Sequence, residues 1–339
     1  MPTVLIGSEP LRRQAGPFRT LLQGSGFHVV DPDSNGKLSE ADLLEIVPRC
    51  DSIIAGGETY SAAIMDASPG LRAIARTGVG YDAVDLAAAS ARRIAVTITP
   101  GANQEAVAEH AFALLLALTK DVTAHDRAIR SGSWARSPLP RPVRGMTMGI
   151  VGLGRIGRAV ATRAVAFGMR VVAFEPTEDR DFDRRFEVAR MSIDEVLASS
   201  DVVSLHLPLV EATRGLMDRS AFARMKPGAL LINTARGGLV VEDDLVEALR
   251  SGHLRGAGLD VFDREPPDAG HPLGTLPNVV LTPHMAGVDT LAMSDMADMA
   301  ARCLVDLHRG RWPADCAVNP EIETGWKWDQ PRSRPGDGG

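Results

Sequence analysis

Short runs of β-branched and aliphatic residues alternate with alanine- and leucine-rich stretches of helical period along most of the chain. In the first third the runs are TVLIGS (3–8), SIIAGG (52–57), LRAIAR (71–76) and IAVTIT (94–99). Strands that recur with a helix-sized crossover between them form parallel sheets covered by helices on both faces. Residues 103–120, NQEAVAEHAFALLLALTK, predict a long helix opened by an Asn103 cap and apolar around most of its circumference. A helix apolar on all sides is expected between two bodies, so it is read as the first connection between domains. Residues 131–145, SGSWARSPLPRPVRG, are dense in Pro, Ser and Arg and predict a surface loop leading into a second domain. A second series follows: TMGIVG (147–152), RVVAFE (170–175), DVVSLHLP (201–208), ALLINTA (229–235), GAGLDVF (256–262) and NVVLTPH (278–284). Six strands with intervening helices make a doubly wound unit. Residues 287–310 predict a further long helix, Met-rich on its buried side, that crosses back to the first domain. From Gly325 the sequence GWKWDQPRSRPGDGG is polar and rich in Pro and Gly, and a disordered tail is expected over 325–339.

Composition narrows the possible partners. The chain has 339 residues, 45% hydrophobic and 24% charged, which is a globular composition and, at roughly 100 to 200 residues per domain, enough for about two domains. A net charge of −6 argues against a basic face that tracks phosphates, and 4% aromatic residues leave little to stack on bases, so nucleic acid is not expected as a partner. Cys50, Cys303 and Cys316 are spaced for neither a disulfide framework nor a metal site; reduced thiols and no metal are expected. The first apolar run is too short for a signal peptide and no 18-residue apolar stretch occurs, which predicts a soluble, cytoplasmic protein with no membrane partner.

The chemistry begins at Gly152-Leu-Gly154-Arg-Ile-Gly157. A bare GxGxxG occurs by chance, but this one follows a predicted strand, opens a predicted helix, and has an acid, Glu175, 18 residues past Gly157 at the end of the next strand. In such a turn the first glycine permits the tight bend, the second lets the backbone approach a pyrophosphate, and the third lets helix and strand pack closely. The helix N-terminus then faces the phosphates. Gly152, Gly154, Arg155, Ile156 and Gly157 are therefore read as cofactor-binding. Glu175 would accept hydrogen bonds from the adenosine ribose, and its charge favours NAD over NADP. Arg180, Arg184 and Arg185 follow closely and keep NADP open as the disfavoured alternative.

Ligands of open parallel sheets bind beyond the carboxyl ends of the strands. Three ionisable residues lie there: Arg236 after ALLINTA, Glu265 after GLDVFDR, and His284 at the end of VVLTPH. Histidine suits proton transfer near neutral pH, a neighbouring carboxylate orients its ring, and arginine presents a planar fork that matches a carboxylate. Singly, such residues are ordinarily structural or solvated. Together, beside a dinucleotide motif, they point to hydride transfer to or from a 2-oxo or 2-hydroxy acid.

The runs GMTMGIVGLGRIG, SLHLPL, KPGALLINTARGGLV, GAGLDVFDREPP and LPNVVLTPHMAG resemble the D-isomer-specific 2-hydroxyacid dehydrogenase family, close to its phosphoglycerate dehydrogenase-like members, over roughly residues 3–320. The resemblance implies two doubly wound α/β domains with a cleft between them. A flavodoxin-like substrate domain would comprise 1–101 and 288–320, and a Rossmann NAD-binding domain 102–287. It implies that Arg236 binds the substrate carboxylate and carbonyl, that His284 is the acid/base and that Glu265 pairs with it. Leu207, Thr234, Ala235, Arg236, Asp260 and His284 would join Glu175 and the glycine loop around NAD. ARTGVGYDAVD (75–85) resembles the family's substrate loop, in which the N–H groups of Gly78, Val79 and Gly80 would grip the acid, with Asn103 near the cleft. His110 is read as packing, and His206 as a strand-end residue whose backbone meets adenosine. A homodimer is expected from the resemblance alone.

Glu175 stands where many members have Asp, which keeps the sign of charge. Phosphoglycerate-using members commonly carry a basic residue in the loop after the second strand, where this chain reads Ala55-Gly56-Gly57-Glu58. Glu58 is expected to disfavour a phosphorylated substrate, with Arg76 as one remaining phosphate partner. The expected activity is reversible, NAD-dependent oxidation of a small D-2-hydroxy acid, of 3-phosphoglycerate or of hydroxypyruvate/glyoxylate type. The alternatives are a dinucleotide-sensing, corepressor-like regulator on the same fold and, further off, oxidation of an inorganic substrate such as phosphite.

Overall fold

The computed structural model describes residues 1–134, 136 and 139–329. The chain divides into two compact units, one made of 1–103 with the segment from Asp289 onward and the other of Gln104–Val288.

The first unit carries five parallel strands, β1 (Thr3–Ile6), β2 (His28–Val30), β3 (Ser52–Ala55), β4 (Ala73–Arg76) and β5 (Ala95–Thr97), in the order β2-β1-β3-β4-β5. Leu5 lies opposite Ile53, and Ile53 opposite Ile74, and all three are fully buried. Strands covered on both faces need such unbroken apolar runs, which is why four of them are legible in the sequence. The fifth, β2, is a three-residue edge strand with an exposed His28, too short and too polar for its pattern to show.

The second unit carries seven parallel strands, β6 (Thr147–Val151), β7 (Arg170–Phe174), β8 (Ala189–Arg190), β9 (Val202–Leu205), β10 (Ala229–Asn233), β11 (Leu254–Leu259) and β12 (Val279–Leu281), in the order β12-β11-β10-β9-β6-β7-β8. Six correspond to the predicted runs; β8 is a two-residue edge strand. The order reverses beside β6, where β9 and β7 flank it on opposite sides, which opens the crevice that doubly wound sheets use for nucleotides. The predicted helix 103–120 spans Gln104–Thr119 and buries Ala108, Leu115 and Leu118 against its own unit, packing on the helix Arg155–Ala166 and on β10, β11 and β12.

Two expectations change. The helix predicted over 287–310 spans Thr290–His308, and its buried side combines Ala292, Ala297, Ala300 and Ala301 with Cys303, Leu304, Val305 and Leu307, with only Met296 among the methionines. Alanine permits a close approach to the helix Pro17–Gly24 and to β4. The expected disordered tail is folded in its first part. Trp328 is buried against Phe27 and His308, its carbonyl accepts from Arg72 Nε at 2.9 Å, and Trp326 Nε1 donates to the Arg93 carbonyl at 2.9 Å. Two indoles outweigh the polar residues around them, because each brings an area to bury that the surrounding Gly, Lys and Asp do not. Residues 330–339 of that prediction lie outside the described residues. All three cysteines are free, and among the described residues no helix is long and apolar enough to cross a membrane.

Trp328→Ala is expected to cost about 3 kcal/mol of stability, as other buried Trp truncations do. Urea unfolding followed by circular dichroism measures it, and an unchanged midpoint would show that this segment adds nothing to the first unit.

Candidate active site

Three adjacent strands, β10, β11 and β12, present their carboxyl ends at one edge of the second sheet, and each is followed by one of the predicted ionisable residues. Their side chains are aimed by buried polar neighbours. Asn233, fully buried at the end of β10, accepts from the Ala235 N–H (3.0 Å) and donates to the Arg236 carbonyl (2.8 Å), which folds the chain so that Arg236 leaves the sheet edge. Arg236 Nη1 donates to the Ala235 carbonyl at 2.6 Å. After β11, Glu265 accepts from the Phe262 N–H through Oε1 at 3.0 Å, and its Oε2 lies 2.7 Å from His284 Nδ1. With Nδ1 engaged, Nε2 is the ring atom left to exchange a proton, and the His284 side chain is 48% exposed. Burial pulls the Glu265 carboxyl upward. The hydrogen bond and charge of His284, the Phe262 N–H and the Arg236 charge outweigh it, so the group sits below its ordinary value of 4.5 and is ionised at neutral pH.

His284 has φ +56°, the left-handed region that a residue with a side chain adopts at a cost of about 1–2 kcal/mol. Asp260, one residue past β11, holds that turn. It has no exposed surface, and its oxygens accept the N–H groups of Met285 and Ala286, both at 2.8 Å, and lie 2.5 Å from Thr282 Oγ1. The resemblance implied a cofactor contact for Asp260; within the protein its carboxylate meets these three groups of the His284 turn and lies 3.5 Å from His110 Nε2. Asn233 and Thr282 were not singled out in the sequence, since an Asn or Thr near a strand end is ordinary there and only the fold reveals which backbone it meets.

A dinucleotide fits the crevice beside β6. Gly152 has φ +98°, and a Cβ there would lie 2.8 Å from the His206 carbonyl, while one on Gly157 would lie 2.1 Å from the Gly152 oxygen. At Gly154, by contrast, no other group lies within 4 Å of such a Cβ, so the space over the loop is open for a diphosphate. The helix Arg155–Ala166 starts there with no side-chain cap, which leaves the first N–H groups, those of Arg155 and Ile156 among them, for an anion. Leu207 packs over Gly152, and Thr234 Oγ1, next to Ala235, is buried without a partner, as a group reserved for a ligand would be. Glu175 accepts the Leu153 and Thr177 N–H groups at 3.1 Å, one on each oxygen, which leaves each oxygen a lone pair for a ribose hydroxyl. The cations that kept NADP open are engaged: Arg180 with Glu178 at 3.1 Å, Arg184 with Asp181, and Arg185 over the Phe186 ring. His206 is pushed down to about 4 by burial, so it stays neutral, with Nε2 2.8 Å from Ser204 Oγ.

In the first unit the loop after β4 departs from expectation at one amide. The Gly78 N–H donates to Thr99 Oγ1 at 2.9 Å, so it is committed to the protein, whereas the Val79 and Gly80 N–H groups have no acceptor among the described residues. Glu58 also differs. It is 1% exposed, accepts the Gly56 N–H at 2.7 Å and lies 3.6 Å from the buried Arg12, so its charge is neutralised inside the unit and does not bear on phosphorylated substrates. Arg76 Nε donates to the Gly80 carbonyl at 2.9 Å, and Asn103 immediately precedes the helix Gln104–Thr119. A cavity of about 360 Å³ in the second unit, lined by Arg141, Arg144, Asp201 and Lys226 among others, includes none of the predicted site residues.

The edge described is that of a dinucleotide-dependent dehydrogenase, and the comparisons agree. Residues 112–286 match the family model for the D-isomer specific 2-hydroxyacid dehydrogenase, NAD binding domain. The chain is 41% identical over 290 residues to a glyoxylate reductase from Korarchaeum cryptofilum, covering 84% of this chain and 87% of that one. It is 38% identical to a D-3-phosphoglycerate dehydrogenase from Archaeoglobus fulgidus, covering 94% of this chain but 60% of the relative. The solved TT0316 protein from Thermus thermophilus superposes with a TM-score of 0.84 at 41% identity, covering 94% of this chain and all of the other. The chain belongs to the D-isomer-specific 2-hydroxyacid dehydrogenase family. It is an NAD-dependent oxidoreductase acting on the CH–OH group of a hydroxy acid.

Gly157→Ala is expected to weaken NADH binding at least about tenfold, since the new methyl must displace the Gly152 peptide; fluorescence titration reads the change. The Glu265 contribution to stability is fully present above pH 4.5 and is lost as pH falls through its lower folded value. Below pH 4.5 wild-type stability should therefore fall more steeply than that of Glu265→Gln, and parallel curves would contradict the pairing.

Proposed function

We propose that this protein reduces a small, unphosphorylated 2-oxo acid of the glyoxylate or hydroxypyruvate kind to the D-2-hydroxy acid. The observation that carries the assignment is the 2.7 Å His284–Glu265 pair with Nε2 left open, at the same carboxyl edge of the sheet as Arg236 and the glycine loop. NAD(H) supplies or accepts the hydride at the substrate's second carbon. Arg236 binds the carboxylate and polarises the carbonyl, and protonated His284 releases its Nε2 proton to the carbonyl oxygen as the C–H bond forms. Glu265 remains ionised and balances the imidazolium before transfer. In the reverse direction the same nitrogen takes the hydroxyl proton. The 41% identity to a glyoxylate reductase supports the small-acid reading.

The proposal extends to a homodimer in the cytoplasm. The helix Val122–Arg130 buries no residue although Val122 and Ile129 are apolar, and Trp134 and Leu139 follow it, also exposed. An apolar patch of that kind supports a self-association surface. The three free thiols suit a reducing compartment.

The test is NADH oxidation against glyoxylate, hydroxypyruvate and 3-phosphohydroxypyruvate. Turnover of the first two is expected; turnover of the phosphorylated acid alone would overturn the substrate class, and NADH binding with no turnover of any acid would favour a regulator. His284→Ala should lower kcat about a thousandfold with NADH affinity kept, and Arg236→Gln should lower kcat/KM roughly a hundredfold. Light scattering should give twice the chain mass, and Ile129→Asp with Trp134→Asp should halve it.

A further inference from the structure

The fold gives His110 a position that its place on an apolar helix does not suggest. It lies on the helix Gln104–Thr119 with its side chain 23% exposed, Nε2 2.8 Å from Thr282 Oγ1 and 3.5 Å from Asp260 Oδ1. Thr282 Oγ1 is in turn 2.5 Å from Asp260 Oδ1. The direction of these bonds follows from the donors available. Two backbone N–H groups, those of Met285 and Ala286, already donate to Asp260. The Thr282 hydroxyl has one proton, which goes to Asp260, and its lone pair then accepts from His110 Nε2–H. Asp260 also holds the turn through its backbone, since the His284 N–H donates to the Asp260 carbonyl at 2.8 Å.

We infer that His110 is a positioning residue for the hydride-transfer reaction: through Thr282 and Asp260 it locks the left-handed turn that presents His284. A strained backbone persists only where its surroundings over-determine it. Here the determinants come from β11, from the segment after β12 and, by way of His110, from a separate helix. That helix is anchored on the sheet by Leu114, Leu115 and Leu118, so it supplies a fixed point that the exposed residues 283–285 lack. Loss of the His110 bond leaves the Thr282 hydroxyl free to rotate off Asp260, and the turn then loses a side-chain tie while keeping its backbone ties. The expected consequence is a misaimed imidazole and a slower proton transfer, with the glycine loop and cofactor affinity unaffected.

The inference rests on the reading of His284 as proton donor, and the experiment separates the two. His110→Ala and Thr282→Val should each lower kcat about tenfold, as small misplacements of an acid/base do, with the NADH dissociation constant within about twofold of wild type. His110→Gln, whose amide can donate to Thr282, and Thr282→Ser, which keeps the hydroxyl, should recover most of the rate. A readout independent of turnover is the downfield proton resonance of the His284–Glu265 bond, assigned by its loss in His284→Gln; it should shift or broaden in His110→Ala and return in His110→Gln. An unchanged resonance and unchanged kcat in His110→Ala would overturn the inference. So would losses of stability and NADH binding that His110→Gln fails to restore, since these mark packing alone. If the wild-type protein turns over no oxo acid, the functional reading fails, and the resonance still decides whether His110 positions His284.

Discussion

Asp260 is a carboxylate with no exposed surface, and burial of that kind is tolerated only when each oxygen is met by donors. The donors it finds are the Thr282 hydroxyl and the N–H groups of Met285 and Ala286, which belong to the turn carrying His284. Satisfying one buried acid and aiming one imidazole are therefore the same structural act. The neighbouring strand repeats the device with Asn233, whose buried amide satisfies itself on the turn that carries Arg236. Two polar side chains at the ends of adjacent strands convert the regular spacing of a parallel sheet into a defined spacing between a cation and an acid/base.

Electrostatics around this edge are arranged by sign and by neutrality. Glu265 stays ionised against its own burial because His284, Arg236 and a backbone N–H stabilise the charged form more than burial penalises it. His206, at the end of β9, is kept neutral by burial, so the crevice beside the glycine loop gains no titrating charge near physiological pH. Glu175 contributes a fixed acceptor beside Leu153, and the nearby Arg180 and Arg184 are paired with acids of their own segment. The helix Arg155–Ala166 completes the pattern with uncapped N–H groups facing an open space.

Much of this is legible in the linear sequence, for identifiable reasons. Strands buried on both faces show as apolar runs, so β1, β3 and β6 stand out, while β2 and β8, short and at sheet edges, do not. The glycine motif shows because steric demands at Gly152 and Gly157 admit no other residue. Arg236, Glu265 and His284 show because they follow three strands in succession and their chemistries complement one another in a chain that also carries a dinucleotide motif. Glu58, Gly78 and Trp328 depart from expectation for one shared reason. Each was judged by its own chemistry, and each is governed by a partner distant in sequence: Arg12 for Glu58, Thr99 for Gly78, Phe27 and His308 for Trp328.

The sequence by itself determined the fold class, the dinucleotide loop and the identity of the three ionisable residues, because those depend on local period, local sterics and position relative to a strand end. Only the tertiary structure decided which charges remain available and which are spent on the protein. Hydrogen-bond partnership is a property of distance in space, and residues such as His110 and Asp260, 150 positions apart in the chain, come within 3.5 Å only once helix and sheet have packed.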